Sequence, residues 1–119
     1  MRTRVTVTGL VDPSTTSRPP RAGMRYVAVK LRLRSTGIAH LEDDLTSALL
    51  SYGEGRRARP VKGVTADCSN GFDGVVVVEV SRRTRGCLLF QMPVGERPRQ
   101  FQLAFEQVPA EAGGRWRLR

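Results

Sequence analysis

Between Gly23 and Gly37, in GMRYVAVKLRLRSTG, apolar and basic side chains alternate without a break. Val27, Val29, Leu31 and Leu33 fall on one side of an extended chain, and Lys30, Arg32 and Arg34 on the other. Successive side chains of a strand point to opposite faces, so the pattern predicts a long antiparallel strand with one buried and one wet face. Glycine at each end and the Ser35-Thr36-Gly37 turn bound it.

The same period recurs along the chain. Val5 and Val7 alternate with Arg4, Thr6 and Thr8 before Gly9, predicting a first strand that ends in a bulge or bend, with Arg2 and Arg4 outward. Val75 to Val80 is valine-rich and predicts a central strand, because an exposed edge of that composition invites aggregation. Gly86 opens CLLFQMP, where Leu88, Phe90 and Met92 share a face, and Ser81 to Arg85 is expected to turn a hairpin between these two strands. Phe101, Leu103 and Phe105 alternate with Gln100, Gln102, Ala104 and Glu106 in a further strand. After Gly113-Gly114, Trp116 and Leu118 alternate with Arg115, Arg117 and Arg119 in a last short one.

Two segments break this period. Asp12 to Gly23, DPSTTSRPPRAG, carries turn and polyproline chemistry and predicts a surface connection. Residues 40–53 read two ways. Leu41, Leu45, Ala48, Leu49 and Tyr52 recur at helical spacing, with Glu42, Asp43 and Asp44 suited to a helix amino end and Gly53 to its cap, so periodicity alone favours one short helix over 41–52. Tyr52-Gly53-Glu54-Gly55 followed by RRARPVKGV instead suggests a hairpin whose first strand is Leu45 to Tyr52.

About seven short strands with turn signals every ~10 residues predict an all-β, antiparallel sandwich of immunoglobulin size. The 119 residues suit a single domain, residues 1–119. Trp116 follows both cysteines, so the antibody pattern of two cysteines bracketing a tryptophan is absent and an immunoglobulin-like relative is expected. No apolar run approaches the ~20 residues of a membrane-crossing helix, and the amino end has no signal-peptide pattern. The chain is therefore read either as cytosolic or as a mature domain freed of its leader.

Twenty basic residues against eleven acidic give a formal charge of +9, which attracts phosphate, carboxylate or an anionic surface. Only Lys30 and Lys62 are lysines, and abundant Arg, Val, Ala, Gly and Pro fit a GC-rich genome such as an actinobacterium's, so arginine at outward positions also has a background origin. If their strands are neighbours, Arg2, Arg4, Lys30, Arg32, Arg34, Arg115 and Arg117, with Arg119, form one broad cationic sheet face. Such a face suits an anionic cell-surface polymer, acidic lipid headgroups or an acidic partner protein. Nucleic acid normally adds exposed aromatics for stacking, whereas here the aromatics sit in core-facing phase and Tyr26 and Tyr52 are the only candidates. Arg82, Arg83 and Arg85 form a second basic cluster at the expected hairpin tip.

Cys68 and Cys87 are the only cysteines, without a CxxC or Cys/His cluster that would make a zinc site. A disulfide between them, implying an oxidising compartment and about 3 kcal/mol of stabilisation, is preferred to two reduced thiols. His40 is the only histidine and no Gly-x-Ser-x-Gly elbow exists, so hydrolytic triads find no support. Glu42, Asp43 and Asp44 with Asp67 or Asp73 match no calcium loop, and GEGRRAR lacks the Gly-Lys-Ser/Thr ending of a nucleotide cradle. No catalytic residue, metal or cofactor is expected.

Three segments resemble the immunoglobulin-like domain family of secreted and lipid-anchored bacterial proteins, common in actinobacteria and similar to the mycobacterial immunoprotective extracellular antigen. Arg21 to Val29 followed by Arg34-Ser35-Thr36-Gly37 resembles the family's opening strand. Gly86 to Pro93, GCLLFQMP, resembles its Gly-x-Val-x-Phe-x-Val-Pro strand, and Pro98 through Phe105 the strand after it. Where the family usually has Pro-Gly before that glycine, this chain has Ser81-Arg82-Arg83. The resemblance implies an extracellular β-sandwich without an assigned activity, and it tilts residues 44–52 toward strand.

The expectation is a non-catalytic binding or accessory domain at a bacterial cell surface or outside the cell, contacting an unknown protein or an anionic surface polymer. The alternative is a cytosolic basic β-domain that binds nucleic acid or an acidic protein.

Overall fold

Strands account for all the regular structure in the computed structural model, which describes residues 3–14, 18–35, 41–43, 48–61, 76–78, 83–103 and 114–118. In chain order they are β1 (Thr3–Val11), β2 (Met24–Ser35), β3 (Leu41–Asp43), β4 (Leu49–Tyr52), β5 (Arg56–Ala58), β6 (Val76–Val78), β7 (Arg83–Pro93), β8 (Pro98–Leu103) and β9 (Gly114–Arg117). The protein is all-β and every pairing is antiparallel. These nine described strands exceed the expected seven because short pairs such as β3–β6 lack a long alternating signal.

The sheets run β1-β2-β7, β5-β4-β8-β9 and β3-β6. β2 is the central strand of the first, paired with β1 from Thr3↔Ser35 to Val11↔Ala28 and with β7 from Met24↔Pro93 to Arg34↔Arg83. β1 does not stop at Gly9: the register shifts between Val7 and Gly9 and the strand continues to Val11. That bulge swaps the phase of the last residues of β1, so Leu10 joins Val5 and Val7 on the core side while Val11 turns to the other face.

The main core lies between the first two sheets. Val27, Val29, Leu31 and Leu33 of β2 and Leu88, Phe90 and Met92 of β7 meet Leu50 of β4, Ala58 of β5, and Phe101 and Leu103 of β8. Phe90 and Phe101 make the cross-sheet contact edge to face, with ring centres 6.1 Å apart and planes at 76°. Beyond β5 the chain crosses to the edge of β7, where Pro60 bridges Phe90 and the Val61 amide donates to the Leu89 carbonyl at 2.7 Å.

No helix forms over 41–52 among the described residues: β3 occupies 41–43 and β4 occupies 49–52. Leu50 pairs with Phe101 on one side and Ala58 on the other, and all three are buried. An isolated helix of that length is marginal in water, so the two ladders outweigh its local periodicity. Gly53 (φ 57°) and Gly55 (φ 68°) close the β4–β5 hairpin in the left-handed region that glycine enters freely.

The expected hairpin from the valine run into β7 also fails among the described residues. Within the described part of the valine run, residues 76–78, β6 pairs with β3, and β7 pairs with β2 along its length. Arg83, Thr84 and Arg85 are strand rather than turn.

Arg25 fastens one end of the β1-β2-β7 sheet. Its Nε and Nη2 donate to Asp12 Oδ1 and Oδ2 at 2.6 and 2.9 Å, Nη1 to the carbonyls of Pro93 and Val94, and Nη2 to the Glu96 carbonyl at 2.7 Å. Five bonds match the five N–H groups of a guanidinium. The hydrogen bonds to Asp12 hold the Arg25 pKa above its ordinary value.

Candidate functional site

Directly opposed residues of an antiparallel ladder share a face, so the registers of β1, β2 and β7 define what their outer face carries. Three rows cross its half nearest Ser35. Arg4, Arg34 and Arg83 form the first; Thr6, Arg32 and Arg85 the second; Gly9, Lys30 and Cys87 the third. Strands lie about 4.8 Å apart, and alternate positions along β2 about 6.7 Å apart, so six cations occupy a compact grid.

Charge is segregated along these strands. β1 carries one cation, β2 four and β7 two, and none of the three strands contains Asp or Glu. The seventh cation, Arg25, belongs to the clamp at the sheet's other end. Among the described residues the ion pairs Arg25–Asp12 and Arg56–Glu96 lie away from this face, and Arg85 is itself engaged in an interaction. Arg4, Lys30, Arg83 and Arg85 are exposed, while Arg32 and Arg34 are half-buried. Arg34 Nε is shielded from solvent and has no hydrogen-bond partner. At the bulge a Cβ on Gly9 would lie 3.5 Å from Lys30 Cδ, an ordinary contact, so the lysine stem runs alongside the bulge.

The other half of this outer face is apolar. Tyr26, Ala28, Cys87 and Leu89 form a second buried cluster with Val11 and Val61 against it. The face therefore divides along the strands into a basic half and a covered apolar half. Alternation alone hides the second half, because Tyr26 and Ala28 share the phase of Lys30, Arg32 and Arg34 on β2.

Arg4, Lys30, Arg32 and Arg34 come together as their strands neighbour one another. Arg115 and Arg117 do not join them, because β9 pairs with β8 in the other sheet, opposite Gln102 and Gln100. In their place stand Arg83 and Arg85. The signal for them was phase: Arg83 and Arg85 continue, without a break, the alternation that leads into Cys87 and Leu89. Arg2, Arg82, Arg119, His40 and Cys68 lie outside the described residues.

Neither tyrosine presents an open stacking surface: Tyr26 is 3% exposed and Tyr52 packs against the main core. Cys87 is buried, and no free cysteine occurs among the described residues. Among those residues no cluster of three or more His, Cys, Asp or Glu side chains is placed to hold a metal ion, and no helix is long and apolar enough to cross a membrane. No protein-family model, curated protein or solved structure matches this chain.

Proposed function

We propose that the protein is a non-catalytic binding or accessory domain, an immunoglobulin-like β-sandwich displayed at or beyond a bacterial cell surface, and that it contacts anionic material through the basic half of the β1-β2-β7 sheet. The observation that carries this reading is the pair of opposed-arginine rows, Arg4-Arg34-Arg83 and Arg32-Arg85, on strands without one acidic residue. Directly opposed like charges destabilise a sheet, and interspersing acids would relieve them. A concentrated row of arginines lowers the stability of the free protein and raises the local anion concentration, which fits a binding face. Pairing of Cys68 with Cys87 belongs to the same reading, since a disulfide requires an oxidising compartment.

Nucleic acid recognised through its bases is the weaker alternative, because Tyr26 is buried and Tyr52 is packed on the core. Retention on heparin tests the main reading. It is expected to weaken with salt and to fall in the triple variant Lys30→Gln, Arg32→Gln, Arg34→Gln; unchanged retention would return the charge to background. Thiol titration of denatured protein from its native host is expected to find no free thiol, and two free thiols would remove the extracellular assignment.

A further inference from the structure

We infer that the basic half of the sheet binds a linear polymer through the phosphates of its backbone alone, without base contacts, laid across the strands between the two arginine rows. This deepens the binding reading above and rests on it. The rows Arg4-Arg34-Arg83 and Thr6-Arg32-Arg85 run parallel across β1, β2 and β7, separated by two residues along each strand. That spacing is about 6.7 Å, so a chain lying between the rows meets side chains from both sides at each strand it crosses. On β2 and β7 both flanking groups are arginine, whose fork matches a phosphate with two parallel hydrogen bonds; on β1 the partner of Arg4 is the Thr6 hydroxyl. Arg34 Nε is shielded and without a partner, and an anion reached by a turn of the side chain would relieve the cost of that unpaired buried donor.

Other anionic partners fit less well. A folded acidic protein is normally held by an apolar centre with charge at its rim, and here the centre of the patch is Arg32 and Arg34. A membrane surface is gripped more firmly when apolar side chains insert beside the basic ones, and the one large apolar side chain exposed among the described residues, Val94, follows β7 at the end remote from Arg83. Among the described residues base recognition finds no open aromatic platform. What remains is a linear polyanion, and among these a backbone phosphate, with two free oxygens at each unit, can meet arginines of both rows at once.

Binding of long-chain linear polyphosphate, measured by calorimetry over a series of salt concentrations, tests the assignment against orthophosphate, oligothymidylate and phosphatidylglycerol vesicles. Polyphosphate affinity is expected to rise with chain length until the chain spans the rows and then to level off, with orthophosphate far weaker. For single-stranded polyanions each neutralised phosphate contributes about 0.7 to the slope of log K against log salt, so five or six contacts give a slope near −4. Arg34→Gln and Arg83→Gln should each reduce that slope by about 0.7, Arg34→Lys should largely restore it, and Arg57→Gln and Arg117→Gln should leave it unchanged. Vesicle binding without polyphosphate binding, or tenfold tighter binding of oligothymidylate at equal charge, would overturn the polymer assignment while leaving a basic binding face. Equal losses from Arg117→Gln and Arg34→Gln would overturn both.

Discussion

Arg34 lies directly opposite Arg83 in the β2–β7 ladder, two like charges on neighbouring strands at the same face of the sheet. Arg4 stands on its other side, so Arg34 is the middle of three. Removing the middle charge relieves two repulsive pairs, each worth a few tenths of a kcal/mol, and threonine keeps the strand's preference for β-branched residues. Arg34→Thr is therefore expected to raise stability by about 0.5–1 kcal/mol at low ionic strength, with the gain shrinking in ~1 M salt as the repulsion is screened. Urea unfolding at the two salt concentrations checks it, and a salt-independent loss of stability would refute the repulsion.

The five-bond seating of Arg25 predicts the opposite sign. Both partners of its pair with Asp12 are well shielded, at 16% and 24% side-chain exposure. Arg25→Met frees the Asp12 carboxylate and three carbonyls from β7 and the turn after it, and should lower stability by about 2 kcal/mol. The Arg56–Glu96 pair is more open, with the Arg56 side chain 61% exposed, and Arg56→Gln should change stability by less than about 1 kcal/mol. Thermal unfolding of the two variants side by side distinguishes the clamp from an ordinary surface pair.

Phe101 joins the sheets through Phe90 and is fully buried. Phe101→Ala should lose about 3–5 kcal/mol, and Phe101→Leu, which keeps most of the apolar volume but not the edge-to-face contact, about 1–1.5 kcal/mol. Equilibrium denaturation measures both, and near-equal losses would place the energy in the ring contact rather than in filled volume.

Gly55 separates backbone geometry from packing. It holds φ +68°, and a Cβ built there meets nothing within 4 Å. Gly55→Ala should lose about 1–2 kcal/mol from the left-handed backbone alone. A loss well under ~0.5 kcal/mol would mean that the hairpin shifts to another turn.

The strands with a sustained alternation were legible from the residues alone. Val27, Val29, Leu31 and Leu33 reach the core as their phase requires, and Phe90, Met92, Phe101 and Leu103 do the same from β7 and β8. The bulge at Gly9 was signalled by the glycine, but not its effect of sending Leu10 and Val11 to opposite faces. Residues 41–52 misled because a helical spacing of leucines is a local signal, whereas the partners of Leu50 lie at Ala58 and Phe101. The candidate site was half legible: Arg4, Lys30, Arg32 and Arg34 are on one face, but Arg83 and Arg85 replaced Arg115 and Arg117.

By itself the amino-acid sequence determined which side chains within each long strand share a face, because a two-residue period is built into extended backbone and needs no partner. It determined as well that β1, β2 and β7 hold cations without acids. Only the tertiary structure decided which strands are neighbours, since pairing joins segments far apart in the chain and is chosen by the packing of the whole core. That choice set β7 beside β2, with Arg83 against Arg34 and Arg85 against Arg32, and placed β9 in the other sheet, turning isolated strand faces into two arginine rows.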